Sequence, residues 1–574
     1  IAEFAAQLPV DLKERIDYEI KVIHDKGYDD YFLVVSDIMK WAASQGILMG
    51  VRGSVAGSVV AHCLEIVEVE PIKWELYFER FLNPERPSPP DIDMDIQDDR
   101  RDEVIAYVEE KYGKDAVAAI ASFGRLKTKA AIRDVARSTG IDLKTADRLS
   151  KMVHVLFGKV YPIQKMMDSD PEFASIVNAD PKLQEMAGTV AKIENLGRHV
   201  SVHACGHLIT PGPIEDYVPM QLETKGGKRT ITQYEFMWLE ELGLMKFDFL
   251  GLRTLTIVNL AIELIEKRHG KKIDFYEIPE SDKLTYELFG RGETIGVFQF
   301  ESPPMQQYLK ELKPGNQEDL CFMVAAYRPG AMKYIPDYIK CKHGLKSPEY
   351  LVPELEPIMG KTFGYAIYQE QAIRIAVDLA GYTMGQSDVL RRAIGKKKLD
   401  VMKKEEEQFK QKLSEKGYSA SNSDKLWQIL LPFADYGFNK AHAAGYAVLA
   451  YKCAYLKAHY PLEFITALMH CDIENSDRIT IDIREASRLG FKVLPPSVNH
   501  SDLYFNPEGN NLIRFGFGAI KNVGTKICER IVQEREENGH YKNFDEFVTR
   551  VGVKNISKKA AECLIKAGAM DEFG

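Results

Sequence analysis

Residues 90–96 read Pro-Asp-Ile-Asp-Met-Asp-Ile, so Asp91, Asp93 and Asp95 alternate with Ile92, Met94 and Ile96. A period of two belongs to a β-strand, which sends the three carboxylates to one face and the three large apolar chains to the other. Carboxylates crowded on one face repel, and each favours its neutral form unless a cation sits between them. Residues two apart lie about 6.5–7 Å apart along a strand. Side chains at that spacing can lean onto a pair of divalent ions roughly 3.5–4 Å apart. The bland alternative is a half-buried strand with a wet face, but such faces usually mix in Lys, Thr or Ser, and here the polar positions are all aspartate.

A second constellation, Arg52-Gly53-Ser54-Val55-Ala56-Gly57-Ser58, follows the apolar run Ile47-Leu48-Met49 and precedes Val59-Val60-Ala61. Small residues let a backbone approach a ligand closely, and a loop that opens a helix points N–H groups outward. Phosphate is the natural guest, with Arg52 as a cationic clamp and the serine hydroxyls as donors. Alone, a Gly-Ser turn between strand and helix is more often only a turn. The carboxylates that follow give it weight, because a triphosphate and two divalent ions belong in one site. A third constellation is Leu244–Leu250, where Lys246 and Asp248 alternate with Met245, Phe247 and Phe249. That pattern places the pair on one face of an otherwise apolar strand and predicts a buried, paired setting rather than a surface ion pair. Further on, Arg391 and Arg392 can grip phosphate oxygens bidentately, and Lys396-Lys397-Lys398 adds local positive field. The competing account of the lysine run is a solvated helix face, since Lys403-Lys404-Glu405-Glu406-Glu407 follows.

The elements that must position these groups are legible in outline. Leu12, Ile16, Ile20 and Ile23 recur at helical spacing, and Tyr31–Val35 leads into a second helix that Gly46 and Gly50 end. Residues 98–112 are helical and charged. Residues 123–200 read as short helical pieces, helices dominate 254–499, and a further module follows Pro495-Pro496. A chain of 574 residues has room for several domains, and its apolar content of 45% is ordinary for a globular protein. No run reaches the roughly 18 apolar residues of a membrane span, and the first residues lack the basic segment and apolar core of a signal peptide. The eight cysteines are scattered with no Cys-x-x-Cys pair, which fits a reducing cytoplasm. The formal charge of -9 argues against a uniformly basic coat for nucleic acid and still allows a locally basic cleft. The absent initiator Met suggests a fragment or a processed chain.

Taken together, these motifs resemble the C family of DNA polymerases, the bacterial replicative DNA polymerase III alpha subunits. The resemblance is carried by Arg52-Gly53-Ser54, Phe78–Arg86, Pro90–Asp93, Lys246–Leu252, Phe298–Ser302, Tyr327–Gly330, Leu390–Lys398 and Tyr436–His442, in that order along nearly the whole chain. It implies an α+β fold: a mixed-sheet palm of the polymerase beta-like nucleotidyltransferase type, largely helical thumb and fingers, and a C-terminal helix-hairpin-helix module. The implied boundaries are palm 1–122 and 201–253, thumb 123–200, fingers 254–499 and the DNA-binding module 500–574.

The implied activity is template-directed transfer of dNMP from dNTP to a primer 3′ end, with two Mg2+ ions held by Asp91, Asp93 and Asp248. Asp95 shares the strand face without matching a ligand position, and is expected to be a supporting or a solvated carboxylate. Arg52, Gly53, Ser54, Arg80, Lys246, Arg391, Arg392 and His442 match positions around the incoming dNTP. His442, with Tyr436 as runner-up, is the candidate for refusing ribonucleotides by a clash at C2′; its competing role is to cap or pack the next helix.

In the C-terminal module, Gly518–Gly524 followed by a helical run resembles a helix-hairpin-helix whose backbone amides meet a DNA phosphate, with Lys521, Val523 and Gly524 as contact residues. The implied partners are primer-template DNA and, through regions outside this chain, a sliding clamp and a clamp loader; no membrane is implied, and the location is cytoplasmic. The family's N-terminal metal-dependent domain would precede Ile1 and its clamp-binding segment would follow Gly574; the sequence carries no His-rich metal cluster, so neither proofreading nor phosphoesterase activity is expected of it. Three departures from the family pattern, Met49-Gly50-Val51 before the Arg-Gly-Ser, Ile96, and Ser201–Gly206, suggest a divergent branch. The alternative function is a non-catalytic replisome scaffold, which would be free to lose at least one of the three aspartates.

Overall fold

The structure is a computed structural model that describes residues 10–86, 89–156, 159–223, 229–396, 399–552 and 554–574. It is an α+β protein in two compact units, one formed by residues 1–105 and 249–574 and the other by residues 106–248. Among the described residues no helix is long and apolar enough to cross a membrane.

Among the described residues, the first unit begins with the two expected helices, Val10–Asp25 and Asp29–Ser44. Their apolar stripes bury Val22, Ile23, Phe32, Val35 and Ile38. Gly46 adopts φ 67°, a left-handed conformation that a β-carbon would strain, and it turns the chain into strand β1 (Met49–Arg52). Strand β2 (Asp93–Ile96) runs antiparallel to β1 in the register Met49↔Ile96, Gly50↔Asp95, Val51↔Met94 and Arg52↔Asp93. Ile92, Met94 and Ile96 are fully buried, as the alternation requires. The regular strand starts two residues later than the motif, so Asp91 stands on the approach to β2 rather than in it. Leu252 N–H donates to Ile96 O at 2.7 Å, which sets the chain leaving residues 249–251 beside β2.

The second unit carries β3 (Val117–Arg125), a short β4–β5 hairpin (Val155–Leu156 and Lys159–Val160), β6 (Gly197–Ile209), β7 (Met220–Leu222), β8 (Thr230–Thr232) and the first half of β9 (Lys246–Gly251). β3 is antiparallel to β6 and parallel to β8, β7 is antiparallel to β8, and β6 is antiparallel to β9, so the sheet is mixed. Five helices between Thr128 and Ile193 close over Ile132, Val135, Leu149, Phe173 and Val190. β9 itself takes the chain from this unit back to the first, between Asp248 and Phe249.

After β9 the first unit is helical from Arg253 to Arg488. Helix Lys440–His459 is its axis: Ala443, Ala444, Ala447, Ala450 and Ala454 are fully buried, and small side chains let neighbouring helices approach closely. The C-terminal module has its own core around Phe517, Ile531, Tyr541, Phe547 and Leu564, with a small sheet of β10 (Lys492–Leu494), β11 (Asn506–Glu508) and β12 (Leu512–Arg514).

Candidate active site

The acidic face of β2 is built against β1. Directly opposed residues of an antiparallel pair share a face, so Arg52 stands over Asp93. Its Nε lies 3.8 Å from Asp93 Oδ2, its Nη1 lies 3.6 Å from Asp95 Oδ1, and Nη1 also donates to the Tyr446 hydroxyl at 2.7 Å. Burial opposes the charge of Arg52, and Asp95, Tyr446 and Asp93 outweigh it, so its pKa is raised.

The three aspartates are not equivalent: Asp91 is exposed, Asp93 half-buried and Asp95 buried. Asp95 Oδ1 has no hydrogen-bond partner, because Arg52 is too distant to donate to it. Burial lifts the Asp95 carboxyl to about 6, with Arg52 pulling down and Asp93 pushing up. Of the two roles foreseen for Asp95, the solvated one is therefore ruled out. The same carboxylate lines an apolar cavity of about 530 Å3 together with Met49, Leu255, Phe275 and Val448.

The loop after β1 differs from expectation in one respect. Gly53 takes φ 95° and Ser54–Gly57 forms a tight 3-10 turn, as a compact loop needs. The amides that open helix Val59–Cys63 are nevertheless occupied. Glu19 accepts from Ser58 Oγ at 2.7 Å and from the N–H groups of Val59 and Val60 at 3.1 Å each. The anion expected at this helix start is the protein's own carboxylate, held in turn by Arg15 Nε at 2.7 Å. Gly57 serves a different purpose. A β-carbon there would lie 2.5 Å from Tyr77 O, so its absence lets the backbone leading to Arg80 pack close.

Arg391 and Arg392 lie on helix Met384–Lys396 around Asp388, which is fully buried. Arg391 donates to Asp388 Oδ1 from Nη2 at 2.8 Å and from Nε at 3.0 Å. Arg86 Nη1 donates to Oδ2 at 2.8 Å, and Arg392 Nε stands 3.7 Å from the same oxygen. Arg80 donates to Gln369 Oε1 at 2.8 and 3.1 Å, and burial together with the charge of Arg391 lowers its pKa to about 10, so it stays cationic at neutral pH. Four guanidinium groups thus share the neighbourhood of Asp388, an excess of positive charge suited to a polyanion.

A line of contacts joins this cluster to the acidic strand. Beyond Arg80, Gln369 N–H donates to Phe438 O at 2.8 Å. The ring of Phe438 lies 5.4 Å from that of His442, which lies 4.3 Å from that of Tyr446, the partner of Arg52. Arg328 adds a guanidinium 4.2 Å over the Phe438 ring. Arg86, Asp388, Gln369, Arg328 and Tyr446 are site residues that no local pattern singles out; of these, Arg86 and Arg328 alone lie inside the motifs Phe78–Arg86 and Tyr327–Gly330.

His442 sits in the first turn of helix Lys440–His459, where its N–H donates to Asn439 Oδ1 at 3.2 Å. The backbone, not the ring, is what the cap uses, so the imidazole is available to the line of contacts just described. Burial and then the Arg52 charge press its pKa down to about 4, so the ring is neutral at physiological pH. A histidine whose folded pKa lies below the unfolded value near 6.5 contributes stability that is whole above pH 6.5 and is lost as pH falls towards 4. Thermal melts at pH steps across that window should fall more steeply for the wild type than for His442→Gln; parallel curves would contradict the placement of this ring.

In the second unit the half-buried Lys246 is paired with the buried Asp248, Nζ to Oδ2 at 2.5 Å, with the ammonium also 4.5 Å over the Phe236 ring. Asp248 is 4% exposed and its Oδ1 has no hydrogen-bond partner. At the C-terminus, Gly524 precedes helix Thr525–Asn538 and caps it with no side-chain hydrogen bond, beside an exposed Lys521. Val523 is buried in the module's core, so any contact to a ligand from that position is through backbone. Lys397 and Lys398 lie outside the described residues, as do the side chains of Lys396 and Tyr436.

Comparison with known proteins gives a consistent picture. Residues 2–251 match the family described as bacterial DNA polymerase III alpha NTPase domain, residues 254–417 the finger domain of the same subunit, and residues 490–574 the helix-hairpin-helix motif. The DNA polymerase III subunit alpha of Thermus aquaticus is 44% identical over 563 residues, 97% of this chain and 46% of the relative. That of Aquifex aeolicus is 42% identical over 582 residues, covering 97% and 50%, and that of Bacillus subtilis 43% identical over 561 residues, covering 98% and 50%. The chain spans about half the length of these curated relatives.

Proposed function

Because the chain belongs to the bacterial DNA polymerase III alpha family, we propose that it forms the core of a template-directed DNA polymerase that adds dNMP from dNTP to a primer 3′ end in replication. The observation that carries the proposal is the unbroken line Arg80–Gln369–Phe438–His442–Tyr446–Arg52–Asp93, which ties a cluster of guanidinium groups to an acidic strand. Phosphoryl transfer from a triphosphate needs both ends of that line: cations for the non-bridging oxygens and carboxylates for divalent ions.

In this assignment residues 1–122 and 201–253 are palm, 123–200 thumb, 254–499 fingers and 500–574 the DNA-gripping module. Asp91, Asp93 and Asp248 would hold two Mg2+ ions. The donors fit a hard cation, being all carboxylate oxygens, and Asp248 Oδ1 is buried with no hydrogen-bond partner. Bound there, the ions would neutralise charge on the phosphates and acidify the primer 3′-hydroxyl. Arg52, Arg80, Arg391 and Arg392 orient the triphosphate, with Gly53 and Ser54 offering close backbone approach and Lys246 fixing the carboxylate of Asp248. Lys521 and the backbone at Val523 and Gly524 hold DNA phosphates without reading sequence. A sliding clamp and a clamp loader are the further partners proposed, through regions of the protein outside this chain. Primer extension with Mg2+ is the direct test: a chain that binds primer-template and extends nothing would be a scaffold instead.

Two substitutions separate the roles. Arg391→Ala removes a charge-assisted contact worth about 1.5–3 kcal/mol, so kcat/KM for dNTP should fall roughly 10–150-fold with primer-template affinity unchanged in a binding titration. Weakened DNA affinity with unchanged dNTP kinetics would move Arg391 to the DNA path. His442→Ala should raise rNTP incorporation relative to dNTP; if sugar discrimination stays the same and only the melting temperature drops, His442 is packing alone.

A further inference from the structure

β6 departs from its partner β3 between Val202 and His207. His207 pairs with Ala119 and Val202 with Ala121, so five steps along β6 oppose two along β3. Irregularities of this kind re-aim side chains out of the strict alternation of a strand. Here the His203 ring folds back on its own strand. Its Nδ1 accepts from Gly206 N–H at 2.8 Å and from Cys205 N–H at 3.3 Å, and lies 3.7 Å from Cys205 Sγ. Gly206 pairs with Asp248 across the ladder. A β-carbon at Gly206 would lie 2.9 Å from His203 Nδ1 and 3.4 Å from Asp248 Oδ1, so the glycine leaves a cradle between the two.

One ligand atom each from His203, Cys205 and Asp248 lies within 4.8 Å of the other two. A tetrahedral ion bound at about 2.3 Å to sulfur and 2.05 Å to nitrogen holds those atoms roughly 3.6 Å apart, close to the 3.7 Å already present. The carboxylate is poised as well: Oδ2 is paired with Lys246, while Oδ1, in a residue 4% exposed, has no hydrogen-bond partner. Imidazole, thiolate and carboxylate together make a donor set for zinc-like ions, and the sulfur sets it apart from an all-oxygen magnesium site.

We propose that His203, Cys205 and Asp248 form a site for one thiophilic divalent cation, Zn2+ or Cd2+, whose binding withdraws Asp248 from the polymerase metal centre. The inhibitory part rests on the polymerase assignment above; the binding part does not. On binding, the Cys205 thiol releases its proton to solvent as the sulfur–metal bond forms, His203 Nδ1 exchanges its two backbone N–H contacts for the ion, and a water completes the tetrahedron. Nothing is oxidised or reduced.

Titration of the whole chain with Cd2+, followed by the ultraviolet thiolate-to-cadmium absorption, tests the site. The wild type should bind one more Cd2+ per chain than Cys205→Ser, a difference that subtracts the other seven cysteines. His203→Ala and Asp248→Asn should each weaken that extra binding at least about tenfold. In primer extension at fixed Mg2+, the Zn2+ concentration for half-inhibition should rise at least about tenfold in Cys205→Ser, with the rate in Mg2+ alone unchanged. Equal Cd2+ stoichiometry in wild type and Cys205→Ser, extra binding that Asp248→Asn leaves intact, or equal Zn2+ sensitivity of the two proteins would each overturn the proposal. A chain inactive in extension would refute the polymerase assignment, and the Cd2+ titration would still decide the site.

Discussion

Asp93→Ala should abolish primer extension, on the order of a 10³-fold loss or more, in a chain that melts like the wild type. Losing one of the carboxylates that hold two ions removes several kcal/mol of transition-state charge stabilisation, and about 1.36 kcal/mol is a factor of ten in rate. The fold should tolerate the change because the Asp93 side chain is 37% exposed, while Ile92, Met94 and Ile96 on the opposite face carry the core. The β1–β2 ladder is backbone and survives as well. Removing a negative charge beside Asp95 also relieves repulsion in the metal-free chain. Single-turnover extension in Mg2+ beside a thermal melt measures both quantities, with Asp91→Ala and Asp248→Ala in parallel. Asp95→Ala should slow extension far less, since its carboxylate acts through Arg52. Extension by Asp93→Ala within tenfold of wild type would remove this residue from the metal centre.

Asp388→Ala should be the most destabilising single change near the site. Asp388 is fully buried and accepts from Arg86 and Arg391, with Arg392 close by. Truncating it leaves partly buried guanidinium groups without their counter-charge, a loss of about 3–5 kcal/mol. Arg391→Ala is expected to be milder, because Asp388 keeps Arg86 and Arg392. A polyanion can stand in for the missing carboxylate, so inorganic triphosphate should raise the melting temperature of Asp388→Ala more than that of the wild type. Thermal unfolding with and without triphosphate reads both effects. A variant that melts with the wild type, or gains no more from triphosphate, would show that Asp388 does not organise the cluster.

Much of the site was legible because its signals are local. Alternation of Asp93 and Asp95 with Met94 and Ile96 acts between neighbours in the chain, and a strand face follows from it wherever the strand goes, although the regular strand stops short of Asp91. The same holds for Lys246 and Asp248, for the paired helices before Gly46, and for the turn leading into helix Thr525–Asn538. The number and type of the charged groups were likewise open to reading, and with them the chemistry that phosphates and divalent ions would require.

What tertiary structure alone decided is which of these groups meet. Asp93 and Asp95 follow the same local rule, yet one is half-buried and the other has its carboxyl lifted to about 6, because the wall behind Asp95 is built from distant segments such as Phe275 and Val448. Glu19 fills a helix start 39 residues away from it in sequence, Arg86 finds Asp388 across 302 residues, and Arg52 finds Tyr446 across 394. The fold of β6 that turns His203 back onto Cys205 and Gly206 depends on its pairing with β3. Periodicity fixes the face on which a side chain stands; the partner it meets there depends on the packing of elements far apart in the chain, and that packing was settled only when apolar surface from the whole unit was buried together.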